Sequence, residues 1–187
     1  SISITTASKL KITACPLEFL SLELEKLRVM GQTIKISKIY KSANRQFDLV
    51  DIEIMPAKLK ALPDKIYGRP FPGLNIDNLP LFLPILTQVS GQTLVHDWVY
   101  ENRAVYYLEL NKLGANIILH DAHRVTVTGP TKLKPAEIIC PPALRPAINL
   151  LICLLAAKGK SVLYNSYSID RGYENICERL NKLGADI

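Results

Sequence analysis

The sequence has 187 residues, of which 48% are hydrophobic and 21% are charged, a composition typical of one globular domain with a sizeable core. Its longest apolar run, residues 150–157, is far shorter than the roughly 20 residues that a transmembrane helix needs, and no basic segment followed by an apolar stretch opens the chain. The net charge of +6 is spread out, without the blocks of lysine and arginine that mark a nucleic-acid surface. We therefore predict a cytoplasmic protein that binds a small anionic ligand, and neither a membrane nor a nucleic acid.

The residue types that bind metals show no pattern that favours a metal site. No two of the four cysteines have the CxxC spacing, and we expect reduced, mostly buried thiols at Cys15, Cys140, Cys153 and Cys177. His120 and His123 have His-x-x-His spacing, but they flank a predicted hairpin turn with no further ligand candidates nearby. Solvent-exposed turn residues explain these histidines better than zinc does.

The first third of the chain predicts a helix followed by two strands. Four leucines recur at helical spacing between Pro16 and Gly31, which predicts an amphipathic helix there. Residues 32–37 and 47–55 alternate apolar and polar side chains around the polar stretch 41–46, as two strands joined by a turn would.

The rest of the chain predicts two further groups of helices and strands. The second group has a buried helix at residues 79–89, a strand at 93–98, a helix at 105–113 and a hairpin of residues 116–120 and 124–128. The third has a strand at 137–140, an apolar helix at 144–157, a strand at 161–165 and a helix at 173–183.

These groups are copies of one repeated unit. The letters of residues 110–117, LNKLGANI, return almost unchanged as LNKLGADI at residues 180–187, and residues 27–31 are a weaker third copy. We predict three repeats, about 1–60, 61–134 and 135–187, in which sheets wrap around a bundle of buried helices. The first repeat lacks its opening strand and helix, and the last lacks its closing strands, so we expect a single lobe that is truncated at both ends.

Four polar residues occupy positions that a simple core does not explain. Arg103 and Arg171 fall where a strand has ended and a helix is predicted to begin, the end whose dipole disfavours cations. A bound anion would explain both, because free N–H groups and the guanidinium fork both bind phosphate; ion pairs with Glu101, Asp170 or Glu174 are the alternative.

Arg145 interrupts an apolar segment, so its charge should reach either a cleft or an acidic partner. Asp77 ends the Pro- and Gly-rich loop of residues 68–77. It suits the N-cap of the next helix, and a general base at a strand-to-helix junction is the alternative.

Several motifs together resemble those of the enolpyruvyl transferases, in particular the members that act on UDP-N-acetylglucosamine. The motifs are Phe71-Pro72-Gly73 followed by Asp77, then VYENR at 99–103, ALR at 143–145 and DRGYE at 170–174, in the order and near the spacing of the family. The similarity runs from about residue 17 to the end of the sequence.

The resemblance implies an α/β (α+β) fold, an inside-out α/β barrel lobe built from βαβαββ repeats with buried helices. It also implies transfer of the enolpyruvyl group from phosphoenolpyruvate to the 3'-hydroxyl of UDP-N-acetylglucosamine for peptidoglycan synthesis, with no metal or organic cofactor. By the matching positions, Asp77 is the general base, Val99 binds the sugar nucleotide through its backbone, and Arg171 holds the phosphate of phosphoenolpyruvate. Arg103 and Arg145 line the same cleft, whose other wall belongs to a second lobe of the same enzyme.

The sequence departs from the family pattern at two places. Ala143 stands where the family usually has an acidic residue, and Pro146 follows Arg145 in place of a small residue. Residues 74–76 replace the usual lead-in to the aspartate, and no cysteine here matches the mobile catalytic loop of the family's other lobe. The alternatives are therefore a relative that binds a sugar nucleotide without turnover, the shikimate-pathway enolpyruvyl transferase and RNA 3'-phosphate cyclase.

Overall fold

A computed structural model describes all of residues 1–187. Its first third contains α1 (Ile2–Thr5), β1 (Leu10–Pro16), α2 (Leu17–Val29), β2 (Ile34–Ile36), β3 (Tyr40–Lys41) and β4 (Asp48–Ile54). The predicted amphipathic helix and its two following strands are confirmed, although the first strand is shorter than predicted. Strand β1 was not predicted, because its alternation is broken by a shift of register between Ile12 and Cys15.

The middle third contains β5 (Ile66–Tyr67), the 3-10 helix η1 (Leu79–Leu81), α3 (Phe82–Leu86), β6 (Gly91–His96), the 3-10 helix η2 (Arg103–Leu113), β7 (Asn116–Asp121) and β8 (Arg124–Gly129). The predicted buried helix is split and ends early, with Pro80 in its 3-10 turn and Pro84 in its α-helical turn. Its α-helical part is buried at every position, as predicted. The predicted helix at 105–113 is present as η2, which begins two residues earlier and has the tighter 3-10 geometry.

The last third contains β9 (Glu137–Ile139), α4 (Leu144–Ala156), β10 (Val162–Tyr164), α5 (Tyr167–Asp170) and α6 (Ile176–Lys182). The predicted helix at 173–183 is therefore wrong at its beginning. Residues 167–170 form a separate helical turn, and Asn175, at φ 47°, interrupts the helical backbone before α6.

The strands form three separate sheets. In the first, β4 is central, with β1 and β2 as antiparallel neighbours and β3 paired to its beginning. The second has the order β5-β6-β8-β7, in which only β5 and β6 are parallel. The third is the parallel pair β9 and β10.

Helix α4 occupies the centre of the lobe. Every residue from Pro146 to Leu154 is buried, and α4 packs against α1, α3, α5, η1 and η2. Its residues contribute to the largest hydrophobic cluster through Leu150, Cys153 and Leu154 and to a second cluster through its other face. The predicted burial of this apolar helix is confirmed. The amino-terminal ends of α4, η1 and η2 lie close to one another.

The two repeated sequence segments share a hydrogen-bonded asparagine and a glycine with positive φ, although residues 110–113 end a 3-10 helix and residues 180–182 end an α-helix. The Asn111 side chain donates to the carbonyl oxygen of Ile117 and accepts from its N–H group, at 2.8 and 2.9 Å. Asn181 makes the same two hydrogen bonds to Ile187, at 2.8 and 3.0 Å. The intervening Gly114 and Gly184 have φ values of 85° and 95°, which residues with a Cβ rarely adopt. The repeat is therefore a structural unit as well as a pattern of letters.

The core also accounts for most of the cysteines. All four thiols are free, with Cys15, Cys140 and Cys153 buried and Cys177 exposed. Burial raises the pKa of the Cys153 thiol to about 12.

None of the helices is both long and apolar enough to span a bilayer.

Candidate functional site

The Asp77 carboxylate does not cap a helix, and the predicted N-cap role is wrong. Asn75 instead caps the turn that precedes η1: its side-chain oxygen accepts from the Asp77 N–H group at 2.8 Å, and its carbonyl oxygen accepts from the N–H groups of Asn78 and Leu79. The Asp77 side chain is 45% exposed and accepts no hydrogen bond within the chain. Its oxygens are therefore free to accept a proton or a hydrogen bond from a ligand.

Arg103 is the first residue of η2, and it is almost completely buried. Its Nε and Nη2 atoms donate to the two carboxylate oxygens of Asp97 at 2.5 and 2.6 Å. Nη2 also donates to the carbonyl oxygen of Ile76 at 2.8 Å, and the guanidinium lies 4.3 Å from the centre of the Tyr100 ring. The buried acidic partner of Arg103 is thus Asp97, and the alternative ion pair with Glu101 is wrong.

A buried phenol completes this group. Tyr107 lies four residues farther along η2 than Arg103 and donates its hydroxyl to Asp97, which is 1% exposed. Burial and the charge of Asp97 raise the pKa of Tyr107 well above its usual range, so the phenol is a neutral donor. Burial by itself lowers the pKa of Arg103, but the hydrogen bonds to Asp97 and the nearby negative charges outweigh it and raise the pKa.

Asp97 and Tyr107 were not predicted as members of the site. A usable sign was present: a carboxylate directly after an alternating strand, with an arginine six residues and a tyrosine ten residues farther on. The Asp97 N–H group donates to the His123 carbonyl at 2.8 Å, so the β7–β8 hairpin holds the aspartate in place.

Arg145 lies in the first turn of α4 and reaches across to the Asp77 loop. Its Nε atom is 3.6 Å from Asp77 Oδ1, and its Nη1 atom donates to the Tyr173 hydroxyl at 3.0 Å. The acidic partner predicted for this side chain is therefore present as Asp77, and the side chain remains 26% exposed.

Asp77, Arg103 and Arg145 meet at one point. Asp77 Oδ1 is 3.8 Å from Arg103 Nη1 and 3.6 Å from Arg145 Nε. At these distances the charged groups form ion pairs, but the atoms are too far apart for N–H···O hydrogen bonds. A carboxylate held between two guanidinium groups, with its lone pairs uncommitted, can accept a proton from a ligand while the cations stabilise negative charge beside it.

Val99 lies in the bend between β6 and η2 and is 37% exposed. Neither its N–H group nor its carbonyl is hydrogen-bonded within the chain. A ligand could therefore contact this backbone. The adjacent Trp98 side chain donates to the Gly68 carbonyl at 2.9 Å and so joins the bend to the Asp77 loop.

Arg171 is exposed and takes part in none of the ion pairs of the structure. It is the C-terminal cap of α5, so its predicted position at the start of a helix is wrong, and the alternative ion pairs with Asp170 or Glu174 are absent. It lines an open cleft of about 680 Å³ formed by residues 170–178. Tyr173 lies in the same cleft and contacts Arg145, which connects the Arg171 loop to the other three residues.

Gly172 explains how this loop packs on α4. A Cβ at Gly172 would come within 2.5 Å of the end of the Leu144 side chain. The absence of a side chain lets the loop lie against the first residue of α4, beside Arg145.

Comparisons with known proteins agree with this architecture. The sequence profile described as EPSP synthase (3-phosphoshikimate 1-carboxyvinyltransferase) matches residues 3–180. UDP-N-acetylglucosamine 1-carboxyvinyltransferase of Bacteroides thetaiotaomicron is 35% identical over 97% of this chain, which covers 42% of that protein. The enzyme of the same name from Porphyromonas gingivalis is 42% identical over 65% of this chain, which covers 29% of that protein.

Solved structures show the same similarity. The enolpyruvyl transferase NikO from Streptomyces tendae superposes with a TM-score of 0.79 at 26% identity, over 99% of this chain and 41% of that one. EPSP synthase from Acinetobacter baumannii has a TM-score of 0.71 at 15% identity, over 100% of this chain and 45% of that one, and it supports the fold alone. Because the family profile matches nearly the whole sequence and the folds agree, the chain belongs to the enolpyruvyl (1-carboxyvinyl) transferase family.

Proposed function

We propose that this chain is one lobe of an enzyme that transfers the enolpyruvyl group from phosphoenolpyruvate to the 3'-hydroxyl of UDP-N-acetylglucosamine, the first committed step of peptidoglycan synthesis. The observation that carries the proposal is the Asp77 carboxylate, which lies uncommitted between Arg103 and Arg145. The identity to two enzymes named UDP-N-acetylglucosamine 1-carboxyvinyltransferase supports the choice of acceptor.

In the proposed reaction, the Asp77 carboxylate accepts the proton of the sugar hydroxyl as its oxygen attacks the enolpyruvyl carbon. The methylene carbon takes up a proton in this addition, which gives a tetrahedral ketal that still carries the phosphate group. Loss of phosphate, together with a proton from the methyl group so formed, then re-forms the double bond and gives the enol ether. Arg103 and Arg145 stabilise negative charge on the bound substrates, and Arg171 binds the phosphate of phosphoenolpyruvate. Val99 holds the sugar nucleotide through its backbone.

The proposal also covers the rest of the enzyme, beyond the part that this chain forms. The chain spans less than half the length of the relatives and structures that it matches. We propose one lobe of three repeats, about 1–60, 61–134 and 135–187, belonging to an inside-out α/β barrel whose cleft is closed by a second lobe in a bacterial cytoplasmic enzyme. No metal or organic cofactor takes part in this chemistry.

One observation favours a second candidate, a sugar-nucleotide-binding relative without turnover. Ala143 occupies the N-cap position of α4, directly before the Leu144-Arg145 turn, and carries no ionisable group. If the reaction needs a second acid there, this chain cannot supply it.

The test has a binding arm and a turnover arm. Saturation-transfer NMR on the chain should show contact with the sugar of UDP-N-acetylglucosamine, and weaker contact with shikimate 3-phosphate. The two-lobed enzyme should release phosphate and form the enolpyruvyl sugar nucleotide, identified by mass spectrometry, whereas the chain alone should not, because half a cleft cannot exclude water. Binding without turnover in the two-lobed enzyme would favour the second candidate, and turnover with shikimate 3-phosphate would contradict the proposed acceptor.

A further inference from the structure

We propose that Asp97 and Tyr107 are positioning residues that hold Arg103 and, through it, the loop that carries Asp77. This inference rests on the proposed function for its catalytic consequence, but its structural part can be tested without any turnover. It adds two buried residues that do not touch the substrates themselves.

The hydrogen bonds of Arg103 show how tightly its orientation is set. A guanidinium has five N–H donors, and here Nε and Nη2 donate to Asp97 and Ile76. Only Nη1 is left without a hydrogen bond, and it is the nitrogen that lies 3.8 Å from Asp77. The buried carboxylate therefore selects which edge of the guanidinium faces the reacting group.

Asp97 can do this because it is itself fixed from two sides. Its backbone N–H group donates to the His123 carbonyl, and its Oδ2 atom accepts from both Tyr107 and Arg103 Nε. With the side chain 1% exposed, water does not compete for these oxygens. The Tyr107 hydroxyl is thus a second constraint on the carboxylate that orients Arg103.

Residues 98–103, which contain Arg103, hold both ends of the Asp77 loop, residues 68–77. Arg103 Nη2 donates to the Ile76 carbonyl, directly before Asp77, and Trp98 Nε1 donates to the Gly68 carbonyl at the beginning of the loop. A rotation of the Arg103 side chain would break the bond to Ile76 and displace the peptide that precedes Asp77. Positioning of Arg103 and positioning of the base are therefore coupled.

Tyr107→Phe is the decisive variant, because it removes one hydroxyl and leaves the Asp97–Arg103 ion pair in place. Tyr106→Phe is the matched control, since Tyr106 is the adjacent residue, is 37% exposed and makes no hydrogen bond. Asp97→Asn would leave a buried guanidinium without its carboxylate and is expected to fold poorly, so it serves only as a secondary comparison.

In the two-lobed enzyme, Tyr107→Phe should lower kcat about tenfold, the effect of losing one buried hydrogen bond, with the KM for phosphoenolpyruvate nearly unchanged. In the chain alone, the Arg103 Nε–H signal should exchange with solvent faster in Tyr107→Phe than in Tyr106→Phe. Equal exchange rates in the two variants would overturn the structural part, even if the wild type has no transferase activity. A kcat equal to that of Tyr106→Phe would overturn the catalytic part, and so would a loss that appears only in KM.

Discussion

The replacement Asp77→Asn separates a catalytic carboxylate from a structural one. The substitution keeps the size of the side chain and removes the charge between Arg103 and Arg145. We expect turnover of the two-lobed enzyme to fall by at least about a hundredfold, the usual effect of losing a general base, while the protein remains folded.

The structure sets the scale of the loss of stability and of the loss of turnover that Asp77→Asn should cause. Asp77 is 45% exposed and its two ion pairs are 3.6 and 3.8 Å long, so each is worth at most about 1 kcal/mol. Loss of both would cost no more than about 2 kcal/mol, which a domain of ordinary stability, about 5–15 kcal/mol, tolerates. A hundredfold lower turnover corresponds to about 2.7 kcal/mol of transition-state stabilisation and would appear without unfolding. The substitution also removes one negative charge from the site, so the KM for anionic phosphoenolpyruvate should not rise.

The assay compares phosphate release and melting temperature with those of Asp64→Asn. Asp64 is an exposed loop residue whose only side-chain hydrogen bond is from the next N–H group, so its variant should behave like the wild type. Near-normal turnover of Asp77→Asn would refute the base assignment. A large fall in melting temperature would show that the two ion pairs carry more of the stability than their exposure allows.

Three further predictions follow from single residues. Arg171→Ala should raise the KM for phosphoenolpyruvate at least about tenfold with an unchanged melting temperature, because Arg171 is exposed and unpaired. A rise in KM no larger than that of Arg179→Ala, which removes another exposed arginine, would contradict the role of Arg171 as a phosphate ligand. Burial raises the pKa of the Cys153 thiol from 9.0 to about 12, so the contribution of this thiol to stability is present below pH 9 and is lost as the pH rises toward 12. The free energy of unfolding should therefore fall between pH 9 and 12, and less steeply in Cys153→Ala. Equal slopes of the free energy of unfolding against pH in the two proteins would refute the shift. Asn111→Ala should lower the free energy of unfolding by about 1–3 kcal/mol in urea, more than Asn181→Ala, because its partner Ile117 is buried whereas Ile187 is exposed; an equal or smaller loss would contradict the packing inferred for the repeat.

Local patterns predicted most of the secondary structure and the repeat. The leucine spacing of α2, the apolar run of α4 and the glycines that follow helices depend on residues close in sequence, so they are visible in the letters. The errors have local causes as well. Strand β5 has only two residues, the register shift breaks the alternation of β1, and Asn175 delays the start of α6.

The sequence by itself determined which residues to examine, since the motifs contain Asp77, Val99, Arg103, Arg145 and Arg171. Only the tertiary structure decided what each side chain contacts. Asn75 caps the turn and so frees Asp77, Asp97 rather than Glu101 pairs with Arg103, and Arg171 lies at the end of a helix rather than at its beginning. The physical reason is that periodicity reports how one element is buried, whereas the contact between Arg103 and the Ile76 carbonyl, 27 residues away, depends on how separate elements pack around α4.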